Sequence, residues 1–293
     1  MRMRIEWPTL GLLTATYVVW ALAIFWLATI SVLVPITVTA LALTLHSSLQ
    51  HEVIHGHPFQ SRWLNACLVL PPLGIFVPFH RFRDTHLAHH RDSRLTDPYD
   101  DPESNYLDGG DWERASAPVK WLLTFNNTLA GRLIVGPLVG FGFFLRSDWR
   151  SRSEASVRMG WLVHVPLVAI VLAVVVWSAM PIWAYVLSCY AALSILKIRT
   201  FLEHRARVLA RERTVIVEDR GPLALLFLNN NLHKVHHMHP TASWYSLPAL
   251  YRRNRARYLE ANGGYRYRSY GEVFAKYLLR CKDPVAHPLW RRN

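Results

Sequence analysis

LGLLTATYVVWALAIFWLATISVLVPITVTALALTLHSSL, residues 10–49, contains no Lys, Arg, Asp or Glu. Wound as a helix at 1.5 Å per residue, this run is roughly 60 Å long and crosses a ~30 Å hydrocarbon core twice. Thr29-Ile30-Ser31 and Pro35 permit a tight reversal inside it. A second uncharged run extends from Met159 to Leu196, with Pro181 marking its reversal. The two runs predict two helical hairpins, with four spans at about 9–29, 31–50, 159–179 and 181–199. At 52% hydrophobic residues and a mean hydropathy of +0.12, the 293-residue chain is more apolar than a soluble domain. A cleaved signal peptide explains the first run poorly. The run is about twice the length of a signal core, and no small-residue cleavage site follows it.

Charge placement extends the reading outward from the spans. No Lys or Arg lies between Arg4 and Arg62, or between Arg158 and Lys197, so all 33 basic residues fall on one side of the two hairpins. Basic residues stay in the cytoplasm. The N-terminus, the 51–158 segment and the 200–293 tail are therefore expected there, with two short loops outside. Residues 63–79 carry Pro71, Pro72 and Pro78, and residues 119–145 carry Asn126, Asn127 and Arg132. Both stretches are apolar but interrupted, which suits helices lying in the interface better than spans. The net charge of +13 fits this inside bias and attraction to anionic lipid heads. A docking face for an acidic redox partner is a second reading of the same charge. Nucleic acid is not an expected partner, because no motif for it is present. Cys67, Cys189 and Cys281 lie far apart and form no CxxC, so neither an iron–sulfur centre, a zinc knuckle nor a disulfide is expected. With no repeat beyond the hairpins and no linker, residues 1–293 read as one domain.

Nine of the fifteen histidines fall into four tight groups. These are His51 and His55 in HEVIH; His86, His89 and His90 in HLAHH; His204 after Glu203; and His233, His236 and His237 in HKVHH. On a helix, residues three and four apart share a face, so adjacent rings can grip one metal ion. One ion rarely takes more than three or four protein ligands, so nine histidines suit two ions. The positive-inside rule puts all four groups on the cytoplasmic face, at the mouths of the spans. The lone residues His46, His80, His164, His239 and His287 read as ordinary hydrogen-bonding histidines, whereas His57, after Gly56, reads as a partner to the ligands. HEVIH also matches the HExxH of zinc proteases, with Glu52 as general base and Leu107-Asp108-Gly109 as a third-ligand motif. That reading leaves seven of the grouped histidines unexplained. A metal carrier would need acids and bases along the spans, and the runs 10–49 and 159–196 hold no Lys, Arg, Asp or Glu.

The order HxxxH, HxxHH and HxxHH, with a further histidine after the fourth span, resembles the membrane fatty acid desaturase superfamily over roughly residues 30–250. The strings Phe-Leu-Glu-His (201–204), Asn-Leu-His-Lys-Val-His-His (231–237) and Trp-Tyr-Ser-Leu-Pro (244–248) look like its bacterial members. The resemblance implies an all-α integral membrane fold: four spans with a cytoplasmic helical cap carrying a histidine-rich dimetal site, in a bacterial inner membrane. It implies two iron ions, O2 as co-substrate and a double bond introduced into a fatty acyl or similar lipid chain. Relatives with the same boxes hydroxylate alkyl chains or oxygenate carotenoids, so a hydroxylase or ketolase is the alternative. Imidazole also serves zinc, which can replace iron in a purified sample. No electron-transfer module is fused to the chain, so a separate donor such as ferredoxin, or cytochrome b5 with its reductase, is implied. Asp97, Asp100 and Asp101 in the acidic, proline-rich segment 95–103, together with Glu203 and Asn231, are the expected hydrogen-bond partners of the ligand rings.

Overall fold

The structure is a computed structural model that describes residues 5–91 and 95–290; Arg4, which bounds the first stretch without basic residues, lies outside them. Among the described residues four helices are long and apolar enough to cross a membrane: α1 (Trp7–Ile30), α2 (Leu33–Ile54), α9 (Ala155–Trp177) and α10 (Ile182–Thr200). Each expected span is recovered, with ends shifted by up to four residues. The first reversal is at Ser31, whose extended backbone breaks the helix and whose Oγ accepts from Leu33 N at 3.2 Å. Pro35 falls in the first turn of α2, where its missing N–H leaves no helical bond unmade. The second reversal covers 178–181. Pro166 lies inside α9, a position that membrane helices tolerate.

The chain divides into two compact units, residues 1–84 with 141–195 and residues 85–140 with 196–293. The first is built on the long helices. Its core gathers Ile24, Leu43, Val171, Val175, Ala184, Tyr185 and Cys189. A π-helical turn over Ala23–Leu27 sets Ala23 and Ile24 into that core. The outer faces are apolar as well: Leu33, Leu162, Val165, Ile170 and Val176 are exposed. A soluble bundle turns polar faces outward, whereas this one is solvated by lipid. Trp26, Trp177 and Trp183 sit exposed beside the two reversals, where indole rings favour the membrane boundary.

The 63–79 stretch, expected to lie in the interface, is helical only in part. Only α3 (Arg62–Val69) is helical, and its prolines leave an irregular buried segment behind it. Unpaired carbonyls in such a place are costly. Side chains of the long helices supply the donors: Tyr17 OH to Leu68 O at 2.7 Å, Gln50 Nε2 to Val69 O at 3.2 Å, Tyr185 OH to Leu73 O at 2.7 Å and His164 Nε2 to Ile75 O at 2.8 Å. His164, an ionisable residue inside a span, thus holds up backbone. His46 Nε2 lies 3.2 Å from Tyr17 OH in the same network.

The second unit is made of short helices. Residues 119–145 are broken into α6 (Ala117–Asn126), α7 (Leu129–Ile134) and α8 (Gly136–Arg150), so no span forms there. Thr128 ends the first break by capping α7 through Gly131 N at 3.0 Å. Gly131 is required: a Cβ there would fall 1.8 Å from Phe125 O. A two-residue parallel pair, Ile216–Val217 with Arg266–Tyr267, is a small exception to the all-α expectation. Ile216 joins Leu232, Val235, Leu247, Tyr251 and Tyr258 in this unit's core, under the third histidine box.

Candidate metal centre

In the first unit His51 lies in the last turn of α2, and His55 ends that helix. Their ring centroids are 4.9 Å apart, one turn along the same face. His51 is buried, and so is Glu52. His57, expected beside the ligands, instead puts its Nδ1 2.8 Å from Glu6 Oε2 and clamps the start of the chain.

The second unit holds the other seven grouped histidines on three elements. His86, His89 and His90 lie on α4 (Phe79–Arg91), and His233, His236 and His237 on α12 (His233–Met238). His204 follows the end of α10. At about 100° per residue, positions i and i+4 share a column of the helix, and i+3 falls to one side. The two HxxHH boxes exploit this reciprocally. The i and i+4 rings of the first, His86 and His90, meet the i+3 ring of the second, His236. The i and i+4 rings of the second, His233 and His237, meet the i+3 ring of the first, His89, and His204 completes that set. Donor atoms within each set lie within 4.8 Å of one another.

The contacts inside the sets are nitrogen to nitrogen. Nε2 of His204 lies 2.9 Å from Nε2 of His89 and 3.2 Å from Nε2 of His233. Nε2 of His237 lies 3.1 Å from that of His233, and Nε2 of His236 lies 3.1 Å from that of His90. Outer partners fix which nitrogens carry protons. His86 Nδ1 donates to Glu103 Oε1 at 2.9 Å, His89 Nδ1 to Asp101 Oδ1 at 2.8 Å and His233 Nδ1 to Asn230 Oδ1 at 3.0 Å. An ionised carboxylate only accepts, so Nδ1 of His86 and of His89 carries a proton, and in the neutral form of either ring the lone pair is on Nε2. Lone pairs on neighbouring rings about 3 Å apart repel unless a cation sits among them. Around an ion bound at ~2.1 Å, nitrogens at right angles are separated by about 3.0 Å and tetrahedral ones by about 3.4 Å. The donor set therefore fits a first-row metal ion.

Protonation follows the same logic. Burial, reinforced by repulsion from His86 and His89, pushes His90 down to about 3. Burial likewise drives His204, His233 and His237 well below the ordinary histidine range. These rings are neutral at physiological pH, the form that binds metal. Burial also opposes charge on His89, but the carboxylates of Glu103 and Asp101 outweigh it and hold the ring at about 9. That position calls for positive charge, which a proton or a metal ion supplies. Glu103, which burial alone would raise, is kept well below the usual carboxylate range by His89 and His86.

The acidic segment that carries these partners is held by its own backbone contacts. Thr96 N donates to Asp101 Oδ2 at 2.7 Å and Glu103 N to Asp101 Oδ1 at 2.9 Å. Of the expected partners, Asp101 meets a ligand ring directly. Glu203 Oε1 comes within 3.7 Å of His233 Nδ1 while pairing with Arg199 Nε at 3.0 Å. Asp97 accepts from Tyr99 N at 2.8 Å and shapes the loop, and Asp100 is exposed. Asn231 points elsewhere, donating to Val217 O at 2.6 Å and Asp219 O at 3.2 Å, which ties the strand pair to α12. Two partners escaped the sequence reading. Glu103 lies in the acidic segment, and Asn230 stands one residue before the asparagine that was chosen. Lys282 Nζ also holds the backbone carbonyl of His204 at 2.6 Å. Asp108, the third ligand of the protease reading, caps the helix Gly109–Arg114 through Gly110 N and Asp111 N at 2.9 and 3.2 Å.

No curated protein matches the chain. The sequence pattern of one family, described as fatty acid desaturase, matches residues 24–269, a range that takes in the end of the first long helix, the other three in full and every grouped histidine. With the reciprocal histidine sets described above, the match leads to one conclusion: the chain belongs to the fatty acid desaturase family.

Proposed function

We propose that this protein is an O2-dependent, di-iron membrane oxidoreductase that introduces a double bond into a fatty acyl or similar lipid chain. The observation that carries the proposal is the convergence of ring nitrogens in two sets, His89/His204/His233/His237 and His86/His90/His236, within the matched family range. In this reading all nine grouped histidines, His51 and His55 included, are metal ligands. When bound, two ferrous ions activate O2. Overall, –CH2–CH2–, O2, two electrons and two protons give –CH=CH– and two waters.

The chain's own residues prepare this chemistry. Asp101, Glu103 and Asn230 keep ring protons on Nδ1 and so free Nε2 for the metal. Burial of the rings excludes water from an oxidising centre. The lipid substrate is apolar and calls for an apolar binding surface. With basic residues inside, the termini and metal site are cytoplasmic, in a bacterial inner membrane. Electrons arrive from a separate protein, ferredoxin or cytochrome b5 with its reductase. Expression in a host followed by lipid mass spectrometry tests the reaction. Loss of two hydrogens from a membrane acyl chain supports desaturation; gain of one oxygen instead identifies a hydroxylase.

A further inference from the structure

The C-terminal segment 281–290 lies beyond residues 24–269, the range of the family match, and its His287 stands outside the four histidine groups. The segment runs beside Leu107, just after the acidic loop. Leu107 N donates to Val285 O at 2.9 Å and His287 N to Leu107 O at 2.8 Å. His287 is buried, with its ring stacked on Trp290. Its Nδ1 accepts from Leu289 N at 3.1 Å, so in the neutral ring the proton is on Nε2, which meets Thr96 Oγ1 at 3.2 Å. Thr96 is buried at φ 76°, a left-handed backbone that a β-branched residue keeps only where its surroundings impose it. His287 holds its side chain, and Ser104 Oγ donates to its carbonyl at 2.8 Å. In that conformation Thr96 N donates to Asp101 Oδ2 at 2.7 Å, and Asp101 Oδ1 accepts from His89 Nδ1 at 2.8 Å. The same tail reaches a second ring, since Lys282 Nζ donates to the carbonyl of His204 at 2.6 Å. His89 and His204 belong to one donor set, with their Nε2 atoms 2.9 Å apart.

We propose that the tail 281–290 braces one metal set, with His287 and Lys282 as positioning residues that hold His89 and His204 in place for a shared ion. The proposal rests on the two-ion reading above. Neither residue is a ligand: His287 acts through Thr96 and Asp101, and Lys282 through the backbone of His204. His86, in the other set, is reached only through Glu103, one link further out. The brace therefore predicts unequal losses when the tail is altered. Outer partners of this kind orient ligand rings and set metal affinity without touching the ion.

The test is ferrous-iron titration of the full chain in detergent, stripped by chelator and reloaded without oxygen. His287→Ala and Lys282→Met should each weaken one ion about 10-fold and leave the other near its wild-type affinity. His90→Ala disables one set and His237→Ala the other. On the His90→Ala background the tail changes should weaken the remaining ion; on His237→Ala they should change little. His287→Gln, whose amide nitrogen can donate to Thr96 as Nε2 does, should restore affinity. Asp101→Asn cuts the path through which His287 acts, so adding His287→Ala to it should cost little more. If His287→Ala fails to fold, Lys282→Met carries the test through the other contact. Unchanged iron binding, equal weakening of both ions, or a lowered melting temperature of the stripped chain with no selective loss of iron would overturn the proposal. A wild-type chain that binds fewer than two ions refutes the two-ion reading, and the brace with it; two ions in the wild type without selective loss in the variants refute the brace alone.

Discussion

A ring proton on Nδ1 decides whether a histidine can bind metal through Nε2, and a handful of side chains make that decision here. Asp101 is buried, held by Thr96 N and Glu103 N while it accepts from His89. Asp101→Asn removes the charge that favours a cation at His89, and iron affinity should fall about 10- to 100-fold in a direct binding titration. Glu52→Gln separates two chemistries. A zinc protease loses its general base and its activity, whereas this protein should keep its metal and part of its oxidase turnover. The nine histidines were legible because i, i+3, i+4 spacing is itself a statement about one helix face. Their partners were not. Asp100 and Asp101 are equivalent on paper, and only the turn of the loop, with Thr96 at φ 76°, buries one and exposes the other. Glu103 lies 17 residues from His86, a distance that no local periodicity links.

Helices follow the sequence where hydrophobicity alone decides them and depart from it where backbone must be satisfied. The four spans were readable from uncharged length, and their reversals from Ser31 and Pro181. The 63–79 stretch was not, because its course depends on donors from distant helices: Tyr17, Gln50, His164 and Tyr185. The break at 126–128 was foreshadowed by its two asparagines, although not the close approach that demands Gly131. Gly131→Ala sets a Cβ 1.8 Å from Phe125 O, so backbone must move. A loss of about 1–3 kcal/mol, read as a lowered melting temperature, is the expected outcome. An unchanged melting temperature would mean that the α6–α7 corner is looser than described.

At the scale of the whole molecule, the proposed orientation rests on the basic residues and the proposed chemistry on the histidines. Cys281 is exposed, and in the proposed orientation the C-terminal tail that carries it is cytoplasmic. A membrane-impermeant thiol reagent should label it in inverted vesicles and not in intact spheroplasts; labelling from outside would reverse the topology. The central claim is a pair of metal ions held by histidines. Elemental analysis of the purified, iron-loaded chain tests it most directly, beside His90→Ala and His237→Ala, which strike the two sets separately. The account predicts two ions per intact chain and one in each variant. A single ion in the intact chain, or loss of the same lone ion by both variants, would contradict it.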